Sequence, residues 1–211
     1  MPELPRSGRA RAMPPEERRA AIIAAALPLL QEHGTATTTR QIADAAGIAE
    51  GTIFRVFPDK DSLLQAAVDH VLDPEPVKAA LLSIDDGLPL ETRLVAAVEI
   101  LQHRINTIVM LMSSVGMLRP GLDKSRFKRN DDVSALAAVF EPDRHRLAVE
   151  PLAAAQLLRG LTFGGCHPMF IVDEPMSSSD IVRYLLNGIS ADPPHPVAEP
   201  TPLAIPQESP C

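Results

Sequence analysis

Between Thr37 and Leu64 the chain reads TTTRQIADAAGIAEGTIFRVFPDKDSLL, and the breakers in it forbid one long helix. Thr38-x-x-Gln41 is a capping box, in which hydroxyl and amide satisfy each other's open backbone donors at a helix start. Gly47 stops that helix, because the tight turn after it needs a positive φ. A second helix opens near Ala49 or Glu50, and Pro58 ends it by pushing Phe57 out of the helical region. Asp59 then caps a third. Ile42 and Ala46 share the inner face of the first piece, and Ile48 plugs the corner. Ile53 and Phe57 point inward from the second, with Phe54 beside them; all three, like Ile42, read as core. Thr52 and Arg55, three apart and hence neighbours, lie on the opposite side.

Two short helices joined at a glycine turn, the second polar outside, form a helix-turn-helix. The major groove of DNA admits one helix. That helix must be short, held rigidly and polar outward, while its neighbours hold flanking phosphates. Charge agrees with a local patch and not with a protein that coats nucleic acid. The net charge is −7; residues 1–70 carry 8 Lys+Arg against 9 Asp+Glu, or −1, and residues 71–211 carry 12 against 18, or −6.

The rest of the chain predicts an all-α protein. Hydrophobic residues make up 45% of it but aromatics only 3%, with no Trp. Its core is therefore aliphatic, and Ala and Leu favour helix over sheet. A helix is expected from Pro14-Pro15, with Glu16 and Glu17 at its positive end, Pro28 as an awkward interior residue and Gly34 as a left-handed cap. Further helices are expected over roughly 75–83, 90–114, 131–140, 149–163 (ended by Gly164-Gly165) and 178–189. Residues 116–130 form a charged loop. Residues 1–13 read either as a loose tail or as a basic arm (Arg6, Arg9, Arg11) for the minor groove. The seven prolines between 191 and 211 mark a disordered tail. The working division is thus 1–13 arm, 14–60 DNA-binding domain, 61–190 ligand-binding and dimerisation domain, and 191–211 tail. No apolar run reaches the length of a membrane span, and the start lacks a signal-peptide pattern. Cys166 and Cys211 lie far apart, the second at the end of the Pro-rich tail, which does not look like a disulfide framework, so a reducing cytoplasm fits better.

The residues Thr38, Ile42, Ala43, Ala46, Gly47, Ile48, Gly51, Thr52, Ile53, Phe54, Phe57, Lys60 and Leu63 resemble, in type and spacing, the DNA-binding region of TetR-family transcriptional regulators. The resemblance covers about residues 14–72. It implies an all-helical homodimer whose small N-terminal domain binds double-stranded operator DNA. The larger C-terminal domain would bind a small hydrophobic effector that releases the DNA; no cofactor is implied. Carried over by position, Thr38, Thr39 and Arg40 contact phosphates or bases from the second helix. Glu50, Gly51, Thr52, Phe54 and Arg55 occupy the recognition helix, and Lys60 meets a phosphate. Phe54 stands where the family usually has Tyr, so a hydroxyl contact is lost. Val56 replaces a frequent His or Tyr, and the segment after Gly34 looks one residue short.

Among the remaining helices, His103, Arg104, Met110, Phe127, Phe140, Phe163 and His167 are the candidate effector contacts: a few polar groups among adaptable apolar ones. Cys166-His167 lacks further ligands at useful spacing, so no metal site is expected. The stripes Leu157, Leu158, Leu161 and Ile181, Tyr184, Leu185, Ile189 are candidates for a four-helix dimer interface. Steric repression is the expected mode, with activation by the same fold as the alternative. An enzyme is the rival from another class, but no G-x-S-x-G, H-E-x-x-H, P-loop or Rossmann pattern supports it. A helical ligand-binding protein without operator binding is the third reading, against which Arg40, Thr52, Arg55 and Lys60 argue.

Overall fold

The computed structural model describes residues 13–115, 133–171 and 173–187, and every regular element among them is helical. The helices are α1 (Pro15–His33), α2 (Thr39–Ala46), α3 (Glu50–Val56), α4 (Lys60–Leu72), α5 (Glu75–Leu82), α6 (Leu90–Val115), α7 (Val133–Ala138), α8 (Pro151–Cys166) and α9 (Ser178–Asn187). The proposed basic arm, the charged loop with Phe127, the Pro-rich tail and Ile189 lie outside the described residues.

Local chemistry sets the first boundaries. Thr38 accepts from the Gln41 backbone N–H at 3.2 Å while the Gln41 amide oxygen accepts from the Thr38 N–H at 2.8 Å, so the capping box is closed. Gly47, at φ 65° and ψ 33°, ends α2 in the left-handed region. Asp59 caps α4 by accepting from the Ser62 N–H at 2.7 Å.

Gly34 behaves differently from expectation. Its φ is +56° but its ψ is −135°, so it opens a 3₁₀ turn (Gly34–Ala36) instead of closing a left-handed cap. The reason is a close approach: a Cβ there would lie 2.3 Å from the Ser114 carbonyl oxygen of α6. Gly164-Gly165 likewise fails to stop α8, which runs on to Cys166. Gly165 is buried where a side chain would press on Met176 and Ile181, so it serves packing.

Two apolar clusters organise the molecule. The first joins α1, α2, α3 and α4 through Ile22, Leu30, Ile42, Ile53, Phe57 and Leu63, and includes Leu111, Met112 and Val115 from the end of α6. The second gathers α5, α7, α8 and α9 around Leu94, Val98 and Leu101 from the first half of α6. α6 therefore serves both cores, and α4 belongs to the first. At 26 residues with a mean hydropathy of 1.3 over its best window, α6 is also long and apolar enough to cross a membrane by length and composition, contrary to the sequence reading. Arg93, Glu99 and Arg104 hide that length when the sequence is scanned for unbroken apolar runs.

Arg93 is only 2% exposed in the second core, and sequence reasoning passed over it. It donates to the carbonyls of Val139, Asp86 and Leu88 and to the Asp143 carboxylate at 2.6 Å. A charge so buried persists only when each donor finds a partner. Its bonds fasten the first turns of α6 to the α5–α6 loop and to the 3₁₀ segment Glu141–Arg146.

Candidate nucleic-acid interface and ligand cavity

The helix α3 is held from behind and bare in front. Ile53 and Phe57 are 1% exposed beneath it, and the Arg19 guanidinium stacks 4.5 Å above the Phe57 ring. Outward lie Arg40 at the start of α2, then Gly51, Phe54 and Arg55, with Thr52 half-buried beside them. Among the described residues Arg40 and Arg55 have neither an ion pair nor a hydrogen bond, so both can be given to a ligand. Phe54 is 51% exposed. It is not core, because Ile53 and Phe57 already fill the inner side of this two-turn helix.

Four of the expected DNA contacts are also engaged within the protein. Glu50 accepts from the Thr39 hydroxyl at 2.6 Å, which ties the start of α3 to the start of α2. Lys60 donates to the Thr35 carbonyl at 2.6 Å and so fastens the start of α4 to the 3₁₀ turn. The Thr38 hydroxyl is taken up by its capping box. Thr37, wholly buried and donating to the Leu29 carbonyl at 2.9 Å, secures the same corner and was missed as a site residue. The face available to a groove therefore narrows to Arg40, Gly51, Thr52, Phe54 and Arg55, with Lys60 and Glu50 sharing their charge.

A second feature lies at the junction of the two cores. A cleft of about 620 Å³ opens between α4, α5 and α6. One α6 stripe at helical spacing, Ala96, Glu99, Ile100, His103, Arg104 and Thr107, forms one wall. His70 and Val71 of α4 and Val77 and Ala80 of α5 form the others. Arg104 donates to the carbonyls of Leu72 (3.2 Å) and Asp73 (2.8 Å), so it caps the end of α4.

Of the expected effector contacts, His103 and Arg104 line this cleft; Met110, Phe140, Phe163 and His167 do not. Phe140 is 1% exposed within the second core, and Met110 faces outward from α6. Phe163 and His167 sit instead at the end of α8 with Phe170, in a cluster of rings 4.7 to 5.9 Å apart. Helical spacing marks such residues as apolar-sided but does not say which neighbour covers them.

The expected dimer stripe also divides. Leu158 and Ile181 are fully buried inside the protomer, because α8 and α9 pack on each other and on α6. Leu157 is exposed, and Leu161, Tyr184 and Leu185 are half-buried. Leu152 and Phe163 extend the exposed apolar surface of α8. Cys166, beneath it, is buried, which pushes its thiol pKa up.

Comparison with known proteins agrees with this architecture. A family model of the bacterial regulatory proteins of the tetR family matches residues 22–67, from within α1 to within α4. The HTH-type transcriptional regulator HbdR of Aromatoleum sp. (strain CIB) is 48% identical over 59 residues, which is 28% of this chain and 26% of that protein. The chain thus matches about a quarter of that relative's length. The structure of the TetR-like regulator LfrR from Mycobacterium smegmatis, in complex with proflavine, is similar over 83% of this chain and 99% of that one, at 27% identity and a TM-score of 0.53. A regulator of the TetR/AcrR family from Thermobifida fusca shares the fold over 82% of this chain and 99% of that one, at 23% identity and a TM-score of 0.57. With a helix-turn-helix built on α1 to α4 that matches the tetR family model over residues 22–67 and a larger helical lobe behind it, this chain is similar to the TetR family of transcriptional regulators, which are DNA-binding transcription factors and not enzymes.

Proposed function

We propose that the protein is a ligand-responsive repressor that binds an inverted-repeat operator as a homodimer in the cytoplasm and lets go when a small hydrophobic molecule enters the α4–α5–α6 cleft. The observation that carries the reading is the bare face of α3, locked from behind, where Arg55 and an exposed Phe54 stand beside Arg40 of α2, both arginines unpaired among the described residues. A seven-residue helix is about 10 Å long, short enough to lie within a major groove about 12 Å wide. Arg55 would read a guanine, Phe54 would lie against a thymine methyl group, and Arg40 and Lys60 would hold phosphates. The exposed apolar side of α8, with α9, would pair with its copy in a four-helix bundle, bringing two recognition helices to successive grooves. The open cleft supports an effector site, as does the small molecule bound to LfrR.

Selection of bound sequences from random DNA tests the reading directly, and an inverted repeat is the expected result. On the selected site, Arg55→Ala removes discrimination worth about 1–3 kcal/mol at one base pair, whereas Lys60→Ala weakens all sequences and flattens the salt dependence. Gel-shift titration at several salt concentrations separates the two. Unaltered selectivity in the Arg55 variant overturns the assignment.

A further inference from the structure

The cleft is lined mainly by aliphatic side chains, with Val71, Val77, Ala80, Ala96 and Ile100 among them and no Phe, Tyr or Trp among the described residues. Planar aromatic ligands gain most where a ring is offered for stacking; a flexible hydrocarbon chain needs only apolar area. The polar groups at the mouth differ in what they have left to give. The Asp73 carboxylate already accepts from the Glu75 backbone N–H at 3.1 Å, and Glu99 accepts from the Ser178 hydroxyl at 3.4 Å. Arg104 is a pure donor with five N–H groups. Its two bonds among the described residues, to the carbonyls of Leu72 and Asp73, leave donors over. The imidazoles of His70 and His103 stand at the same cleft.

We infer that the effector is an aliphatic chain ending in a carboxylate, with the chain on the aliphatic wall and the head on Arg104. The inference rests on reading the cleft as the effector site. It also supplies a route for release. The carbonyls that Arg104 holds are at the end of α4, and a carboxylate, being charged and able to accept two parallel N–H bonds, competes with them for the same guanidinium. Loss of that cap frees the end of α4. The other end of α4, through Lys60 and Thr35, holds the corner from which α2 and α3 are hung.

Isothermal titration calorimetry of the full chain decides, with decanoate, decanol and decylamine as probes below their aggregation concentrations and an acridine dye as a planar cation. Decanoate should bind about tenfold or more tightly than decanol. Arg104→Gln should reduce decanoate to the decanol level while decanol still binds. Should that variant fold poorly, the ranking of probes on the unaltered protein decides alone. Tighter binding of decylamine or of the dye, abolished when Ala96→Trp fills the cleft, overturns the carboxylate assignment and leaves the cleft as the effector site. No binding of any probe overturns both.

Discussion

The two cores of this protein are held by different means. The N-terminal one is tied by a capping box at Thr38, a left-handed glycine at Gly47, and the Glu50–Thr39 and Lys60–Thr35 bonds, which span 11 and 25 residues between neighbouring elements. The C-terminal one is an aliphatic cluster whose main polar anchor is a single buried cation, Arg93, bonded to residues as far away as Asp143. The first arrangement fixes angles between short helices, as a groove-binding surface requires. The second leaves a cleft at its edge, between α4, α5 and α6.

The largest expected break in this contrast is at Arg93. Arg93→Met should lower stability by about 3 kcal/mol or more, since Asp143 and three carbonyls lose their donor. Hydrogen exchange should show α5, α7 and the start of α6 loosened while α2 and α3 keep their protection; equal loss in both cores would erase the contrast. Next comes the joint between them. Gly34→Ala places a Cβ against the Ser114 carbonyl at a positive φ, for an expected loss of about 2–3 kcal/mol. Denaturant unfolding followed separately in the two cores should then lose its common midpoint.

A milder effect is expected for Thr38→Ala, about 1 kcal/mol, confined to α2 and read as earlier melting with a matching loss of operator affinity. The smallest concerns acid. Hydrogen bonds from Ser62 hold the Asp59 carboxyl below its ordinary value, and those from Arg146 and then Arg93 do the same for Asp143. A depressed folded-state pKa contributes stability that is complete above the ordinary value of 3.8 and is lost as pH falls through the lower one. Asp59→Asn and Asp143→Asn should each flatten the fall in melting temperature below about pH 4, the first in the N-terminal core and the second in the C-terminal one.

What could be read from the sequence follows the same division. Caps and breakers act over three or four residues, so Thr38-x-x-Gln41, Gly47, Pro58 and Asp59 announced α2, α3 and α4 closely. Burial depends on partners remote in the chain. Periodicity placed Phe140, Leu158 and Ile181 on apolar sides but could not tell a protomer's own core from a pocket or an interface. Phe54 was misjudged as core for a related reason: a two-turn helix needs only two inner side chains, and Ile53 and Phe57 are those two. Arg93 and Arg104 went unrecognised as anchors because their partners are mostly backbone carbonyls, which no sequence pattern marks, and the one carboxylate, Asp143 on Arg93, lies 50 residues away in the chain.

The contact between Gly34 and Ser114 bears on how such a regulator can be rebuilt. It joins main chain to main chain, so no exchange of side chains can imitate it. A chimera that grafts these first four helices onto a foreign sensor would need that sensor to end its long helix with a carbonyl at the same height and no branch beside it. A mismatch of one residue would leave either a gap or a collision at the seam, however well the apolar surfaces agreed.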